Sequence, residues 1–296
     1  MPAIAARATR NQVTTNRTAA LLLSELRNRE LDIDETLLTA LRRRGFLALV
    51  DDGGIWLATG SHADDVEMLR TIDGLVVRPV TGDPARAARV SIRGGHAPLD
   101  VARHIVGLPE HHVGGQHGGF TSFGPGPFLG TCWANYRAME WGAKLAACPT
   151  ERDWGAGALD VGVGLLVKTL PLARVATSLS CDGHGRRPAW VALHYPWDLP
   201  WARAVFDTLG APDPAVQWSW REQHIRVEPR DGFTDAAVTR MLLDVQTRSQ
   251  RLLDQGVIDA IGRARRQVVD EFGEDAPTVA AFAATAARVL AGGLGR

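Results

Sequence analysis

Two residues able to do chemistry stand three apart, Cys181 and His184, inside the hexapeptide Ser180-Cys181-Asp182-Gly183-His184-Gly185. The chain holds only three cysteines and nine histidines, so this closeness carries information. Asp182-Gly183 is a turn signal, and apolar runs at 175–179 and 190–194 flank it, which predicts a β-hairpin. A two-residue type I′ turn would set Cys181 and His184 directly opposite each other, with β-carbons about 4.5–5.5 Å apart. The segment Gly185-Arg186-Arg187-Pro188 can instead lengthen the loop, so the pair's proximity is a firmer expectation than its register.

A thiolate and an imidazole at that separation can share a metal ion. Zinc accepts both ligand types, and Cys-x-x-His has ligand-like spacing. The hexapeptide is half a site, and the rest must come from distant sequence: His224, the loop histidines His111, His112 and His117, His194, or the other cysteines, Cys132 and Cys148. A catalytic site needs only three protein ligands and an open position, which suits this short supply. The expected metal ligands are Cys181 and His184, completed by His224 or His117. Asp182 or Asp160 would serve as the base, and Arg186 would hold an anionic substrate group. Asp160 lies in an apolar stretch, Ala158-Leu159-Asp160-Val161-Gly162, where a carboxylate is either buried and paired or lines a site.

Two other readings compete. A neighbouring imidazole can lower a thiol pKa and create a cysteine nucleophile, although such cysteines usually sit at a helix N-terminus rather than in a hairpin. The bland alternative is structural: Asp-Gly is a common turn, and cysteine is often buried. Asp-Gly-His also loosely resembles the Asp-Arg-Gly-His motif of strand-strand-helix metal nucleases. Cys181 stands where their first aspartate belongs, and no asparagine follows Asn135, so that activity is not expected. Walker, dinucleotide, Gly-x-Ser-x-Gly and His-Glu-x-x-His motifs are absent from the sequence.

The elements that must position these residues read as α+β with helices dominant. An N-terminal α/β lobe over 1–106 begins with two short helices. Ala19, Leu22, Leu23 and Leu26 share one helical face, and Leu37, Leu38 and Leu41 another, with Asp32 or Asp34 as cap. Strands at 46–50 and 55–59 follow, joined by Asp51-Asp52-Gly53-Gly54. Helix, helix, hairpin over 17–59 resembles part of a winged-helix module. That resemblance implies a second function, nucleic-acid binding or regulation, with Arg42, Arg43 and Arg44 meeting phosphates. Positive charge at a helix C-terminus explains the same arginines without nucleic acid.

Residues 62–69 and 98–106 read as helices and 75–79 as a strand. A Gly- and His-rich loop occupies 107–130, long enough to line a site or join two lobes. The main helical lobe, 131–296, carries expected helices at 132–148, 155–170, 201–209, 235–255, 257–272 and 277–290. The hairpin lies among them, with a strand through Val216, Trp218 and Trp220.

Formal net charge is zero, so no overall basic footprint marks a nucleic-acid binder, although a local patch is allowed. Three cysteines in 296 residues do not make a disulfide framework, and a cytoplasmic location is the natural reading. No apolar run is long enough to span a membrane. The expected partner is a small-molecule or anionic substrate.

Overall fold

In the computed structural model the described residues are 17–51, 53–58, 63–81, 86–108, 133–138 and 160–293. They form an α+β protein in which helices dominate, around two antiparallel four-stranded sheets. The Gly/His-rich loop with His111, His112 and His117, along with Cys132, Cys148 and most of the helix expected at 132–148, lies outside the described residues.

The chain opens with α1 (Arg17–Arg27) and α2 (Ile33–Arg44), whose buried faces are the ones periodicity marks: Leu22, Leu23 and Leu26, then Leu37 and Leu41. Asp32 caps α2 in a full capping box with Glu35, and Gly45 ends it in the left-handed conformation. The first sheet comprises β1 (Ala48–Asp51), β2 (Gly54–Ala58), β3 (Leu75–Pro79) and β4 (Arg86–Ile92), in the order β1-β2-β4-β3. Helix α3 (Ala63–Arg70) precedes β3, and α4 (Pro98–Val106) follows β4 and packs on α2. Strand β4 was not expected, because Arg-Ala-Ala-Arg opens it with only small apolar residues.

The arginines offered for phosphate contact turn inward. Arg43 and Arg44 are completely or almost completely buried. Arg43 pairs with Glu25 and donates to the Leu22 carbonyl, and Arg44 donates to the Leu108 carbonyl. Arg42 donates to the Ala48 carbonyl. These side chains tie α2 to α1, β1 and the residues after α4; Arg43 and Arg44 are withdrawn from solvent, while Arg42 stays half-buried.

After α5 (Trp133–Ala138), described residues resume at Asp160. A turn at 161–163 leads into α6 (Gly164–Thr169) and a 3-10 turn, Leu170–Ala173. Asp160 therefore precedes the helix rather than lying within it, as Gly162 and Gly164 weaken helix propagation. The second sheet follows: β5 (Thr177–Cys181), β6 (Ala189–Leu193), β7 (Val216–Arg221) and β8 (His224–Pro229), in the order β5-β6-β8-β7, with α7 (Asp198–Thr208) between β6 and β7. Strand β8 was missed although Ile225 and Val227 alternate with His224, Arg226 and Glu228, a legible period of two.

Three helices close the chain: α8 (Asp235–Arg251), α9 (Gln255–Phe272) and α10 (Val279–Gly293). Gly256, between the expected helices at 235–255 and 257–272, lies inside α9. The break falls earlier, where Asp254 accepts from the Val257 N–H and caps α9. One continuous cluster of buried apolar side chains includes Leu22, Leu41, Leu57, Val191, Trp201, Leu242 and Phe282. Among the described residues no helix is long and apolar enough to cross a membrane.

Candidate metal centre

The hexapeptide does sit at the end of a hairpin, with a different turn from the two-residue one. Cys181 is the last residue of β5 and pairs with Trp190, so the loop runs from Asp182 to Pro188. Within it Gly183–Gly185 form a 3-10 turn, initiated when Asp182 accepts a hydrogen bond from the His184 N–H (2.8 Å). His184 adopts φ 52°, ψ 29°, left-handed and unusual for a residue with a β-carbon. Gly183 and Gly185, both at positive φ, flank it. A β-carbon on Gly183 would meet the Pro188 carbonyl oxygen at 2.8 Å, so this glycine is sterically required. The turn is held from outside by Arg17 of α1, which donates to the carbonyls of Gly185 (2.6 Å) and Phe233 (3.1 Å) and pairs with Asp235.

This geometry brings Cys181 and His184 together by a route other than cross-strand pairing. The left-handed turn folds the imidazole back, and its Nε2 lies 3.8 Å from Cys181 Sγ. On the ring's other side, Nδ1 lies 3.3 Å from Asp182 Oδ1. The imidazole is thus held between a carboxylate and a thiol.

Asp160 joins from the segment before α6. The Asp182 N–H donates to Asp160 Oδ2 (2.9 Å), while the Gly162 N–H donates to Asp182 Oδ2 (3.3 Å). Each turn therefore hydrogen-bonds the other's carboxylate. Their approach depends on Gly162, where a β-carbon would stand 2.8 Å from Asp182 Cβ and 2.7 Å from a Leu242 methyl. The resulting cluster, Asp160, Cys181, Asp182 and His184, offers one ligand atom from each residue, all within 4.8 Å of one another.

Burial grades these four residues. Asp182 is completely enclosed and Asp160 is buried, Cys181 is half-buried, and the His184 side chain is 62% exposed. The cluster therefore has a buried acidic floor and a solvent-facing rim. Burial pushes the Cys181 thiol pKa up, and the carboxylates of Asp160 and Asp182 push it further; the Gly183 N–H on Sγ (3.4 Å) opposes them. Asp182 is likewise raised, first by burial and then by Asp160, against its hydrogen bonds from His184 N–H, Thr18 and Gly162 N–H. Negative charge is crowded here, and a cation would relieve both effects.

The distances suit a small N/O/S-liganded ion. Zinc–sulfur and zinc–nitrogen bonds of about 2.3 and 2.0–2.1 Å at a tetrahedral angle place S and N about 3.6 Å apart. The observed 3.8 Å needs only a small adjustment. A metal-ligating histidine usually gives its second ring N–H to a carboxylate, and Asp182 stands in that position relative to Nδ1. An ion placed here would take Cys181 Sγ, His184 Nε2 and an Asp160 oxygen, and Asp182 would orient the imidazole.

Other expected site residues fall elsewhere. His224 lies on β8 opposite Ala192; its Nδ1 is 2.6 Å from the Glu222 carbonyl oxygen and its ring packs edge-on to Trp190, so it is not part of the cluster. His117 lies outside the described residues. Arg186 is exposed immediately after the turn. Asp182, expected as a base, is sealed from solvent with both oxygens engaged, which suits orientation better than proton transfer to a substrate. Trp197 and Trp201 are buried in the core, Trp197 among Trp133 and Tyr136. A groove between α1 and α8, lined by Glu25, Asp213, Arg240 and Asp244, contains none of the cluster residues.

No protein-family model, no curated protein and no solved structure matches the chain. The functional reading therefore stands on the geometry alone.

Proposed function

We propose that this protein is a metal-assisted enzyme with hydrolytic chemistry centred on the β5–β6 turn. Zinc is the ion that best suits its mixed sulfur, nitrogen and oxygen ligands. The observation that carries the reading is the placement of His184, its Nδ1 against a buried carboxylate and its Nε2 against Cys181 Sγ, with Asp160 closing the set. Three protein ligands leave a fourth position, and the exposed His184 rim gives it access to solvent. These residues would hold a zinc ion, which would supply Lewis-acid activation of water at the site. Arg186 and Arg187, exposed beside the turn, supply positive charge for an anionic substrate group.

A cysteine nucleophile is less well supported, because burial first, and then the carboxylates beside it, favour the Cys181 thiol over the thiolate. The test is metal analysis on tag-free protein. About one equivalent of zinc is expected, lost in Cys181→Ser and His184→Ala. Cobalt substitution should give a thiolate charge-transfer band that Cys181→Ser abolishes. Protein that carries no stoichiometric metal, takes up none, and is unaffected by either substitution sinks the proposal.

A further inference from the structure

One face of the first sheet is buried, and the other carries half-buried and exposed side chains among the described residues. Ala48, Ile55, Leu57, Leu75, Ala88 and Val90 are buried beneath it. On the opposite face a single row crosses all four strands: Leu49 pairs with Trp56, Trp56 with Arg89, and Arg89 with Arg78. Leu49 and Trp56 are half-buried, while Arg89 and Arg78 are exposed.

Two like charges directly opposite each other on an antiparallel pair repel and cost stability. Neither Arg78 nor Arg89 has an acidic partner among the described residues. The next position in the row is an aromatic ring that both Arg86 and Arg89 overlie, at 4.7 and 5.6 Å from its centroid. The Trp56 indole is oriented by its own N–H, which donates to Asp51 (2.6 Å). Gly53 and Gly54 in the β1–β2 turn allow the close packing: a β-carbon would stand 2.9 Å from the Trp56 ring at the first and 3.3 Å from the Arg89 guanidinium at the second.

Arginines in register with no acidic partner among the described residues, beside a ring framed by guanidinium groups, match the two features of a single nucleic-acid strand. Phosphates supply the negative charge that relieves the arginine pair, and an unpaired base supplies a π-face for Trp56 or a guanidinium plane. A duplex keeps its bases stacked, whereas an unpaired strand leaves them free to stack on an aromatic or guanidinium plane. We infer that the outer face of the β1-β2-β4-β3 sheet binds single-stranded nucleic acid, with Arg78 and Arg89 on phosphate and Trp56 at a base. This surface is separate from Arg42, Arg43 and Arg44, and it does not depend on the metal centre.

The test uses the full chain and a fluorescein-labelled single strand of about 16 nucleotides, with binding read by anisotropy between about 50 and 200 mM salt. Arg78→Gln with Arg89→Gln should weaken binding and flatten the log–log salt slope by about 1.4, two contacts at about 0.7 each for single strands. Trp56→Leu should weaken binding about tenfold with the slope kept. Cys181→Ser should bind as well as the parent. Arg226→Gln, an exposed arginine of the other sheet, is the control. The proposal is overturned by no binding, by an unchanged slope in the arginine pair variant, or by equal loss in the control. Tighter binding to duplex, or equal competition by polyglutamate, overturns it too. Should Trp56→Leu fail to fold, the exposed arginine pair still decides.

Discussion

Replacing Asp182 by asparagine separates orientation of the imidazole from ligation. The side chain keeps its shape and exchanges one acceptor oxygen for an NH2 group. In the native turn Oδ1 accepts from the His184 N–H and faces its Nδ1, while Oδ2 accepts from the Gly162 N–H. An asparagine oxygen turned toward His184 leaves its NH2 against the Gly162 N–H, two donors meeting in a space closed to water. A buried donor without a partner costs about 1–3 kcal/mol. Metal-free stability, read by urea denaturation with chelator present, should fall by that amount. Losing the carboxylate behind a metal-bound histidine costs about 10–100-fold in metal affinity, read by competition with a zinc indicator. Both changes run the same way, yet they are measured independently. A folded Asp182→Asn protein that holds zinc as tightly as the parent refutes the orienting role. One more stable than the parent without metal shows that repulsion from Asp160 outweighs the hydrogen bonds, and refutes the stability argument.

Other outcomes follow from the same geometry. Gly162→Ala should destabilise the fold by about 1–3 kcal/mol and also weaken metal binding, because its methyl group collides with Asp182 and Leu242 where the two turns meet; chemical denaturation and metal titration read the two effects. Chelation should lower the melting temperature, and excess zinc should raise it, by the equivalent of about 2.7 kcal/mol at a hundredfold excess over Kd; a melting curve indifferent to both contradicts the metal site. Burial raises the Asp198 pKa to about 7. The unfolded carboxylate ionises near pH 4 while the folded one keeps its proton, so this group's stabilisation is full below about pH 4 and is lost as pH rises to about 7. Asp198→Asn can still accept from the Tyr195 N–H and should remove that slope, seen by comparing urea midpoints at pH 5 and 8. Arg43→Met should leave Glu25 without its buried partner and cost about 3–5 kcal/mol, visible in denaturation, with no change in nucleic-acid affinity.

Much of the fold was legible because it rests on local signals. The leucine faces of α1 and α2, the Asp32 cap and the proline start of α4 appear where periodicity and capping place them. The failures are also local in origin. Arg86-Ala87-Ala88-Arg89 has too little apolar contrast to announce a strand, and the glycines before α6 blurred where that helix starts. At the site, one turn signal marks Cys181 and His184 as neighbours but leaves the register open between a two-residue turn and a longer loop, and the longer loop is the one formed. A two-residue hairpin and a seven-residue loop share the same Asp-Gly.

Local chain signals suffice for the helix-dominant α+β character and for the closeness of Cys181 and His184. Spacings of two, three and four residues, and a turn of a few residues, depend only on nearby chain. The tertiary structure alone decided what completes the pair. Asp160 is twenty-one residues from Cys181 and reaches it because Gly162 lets two turns touch, while His224 points to Trp190 instead. It also buried Arg43 and Arg44 and left Arg78 beside Arg89. Strand order and helix packing set these distances, and one-dimensional spacing does not encode them.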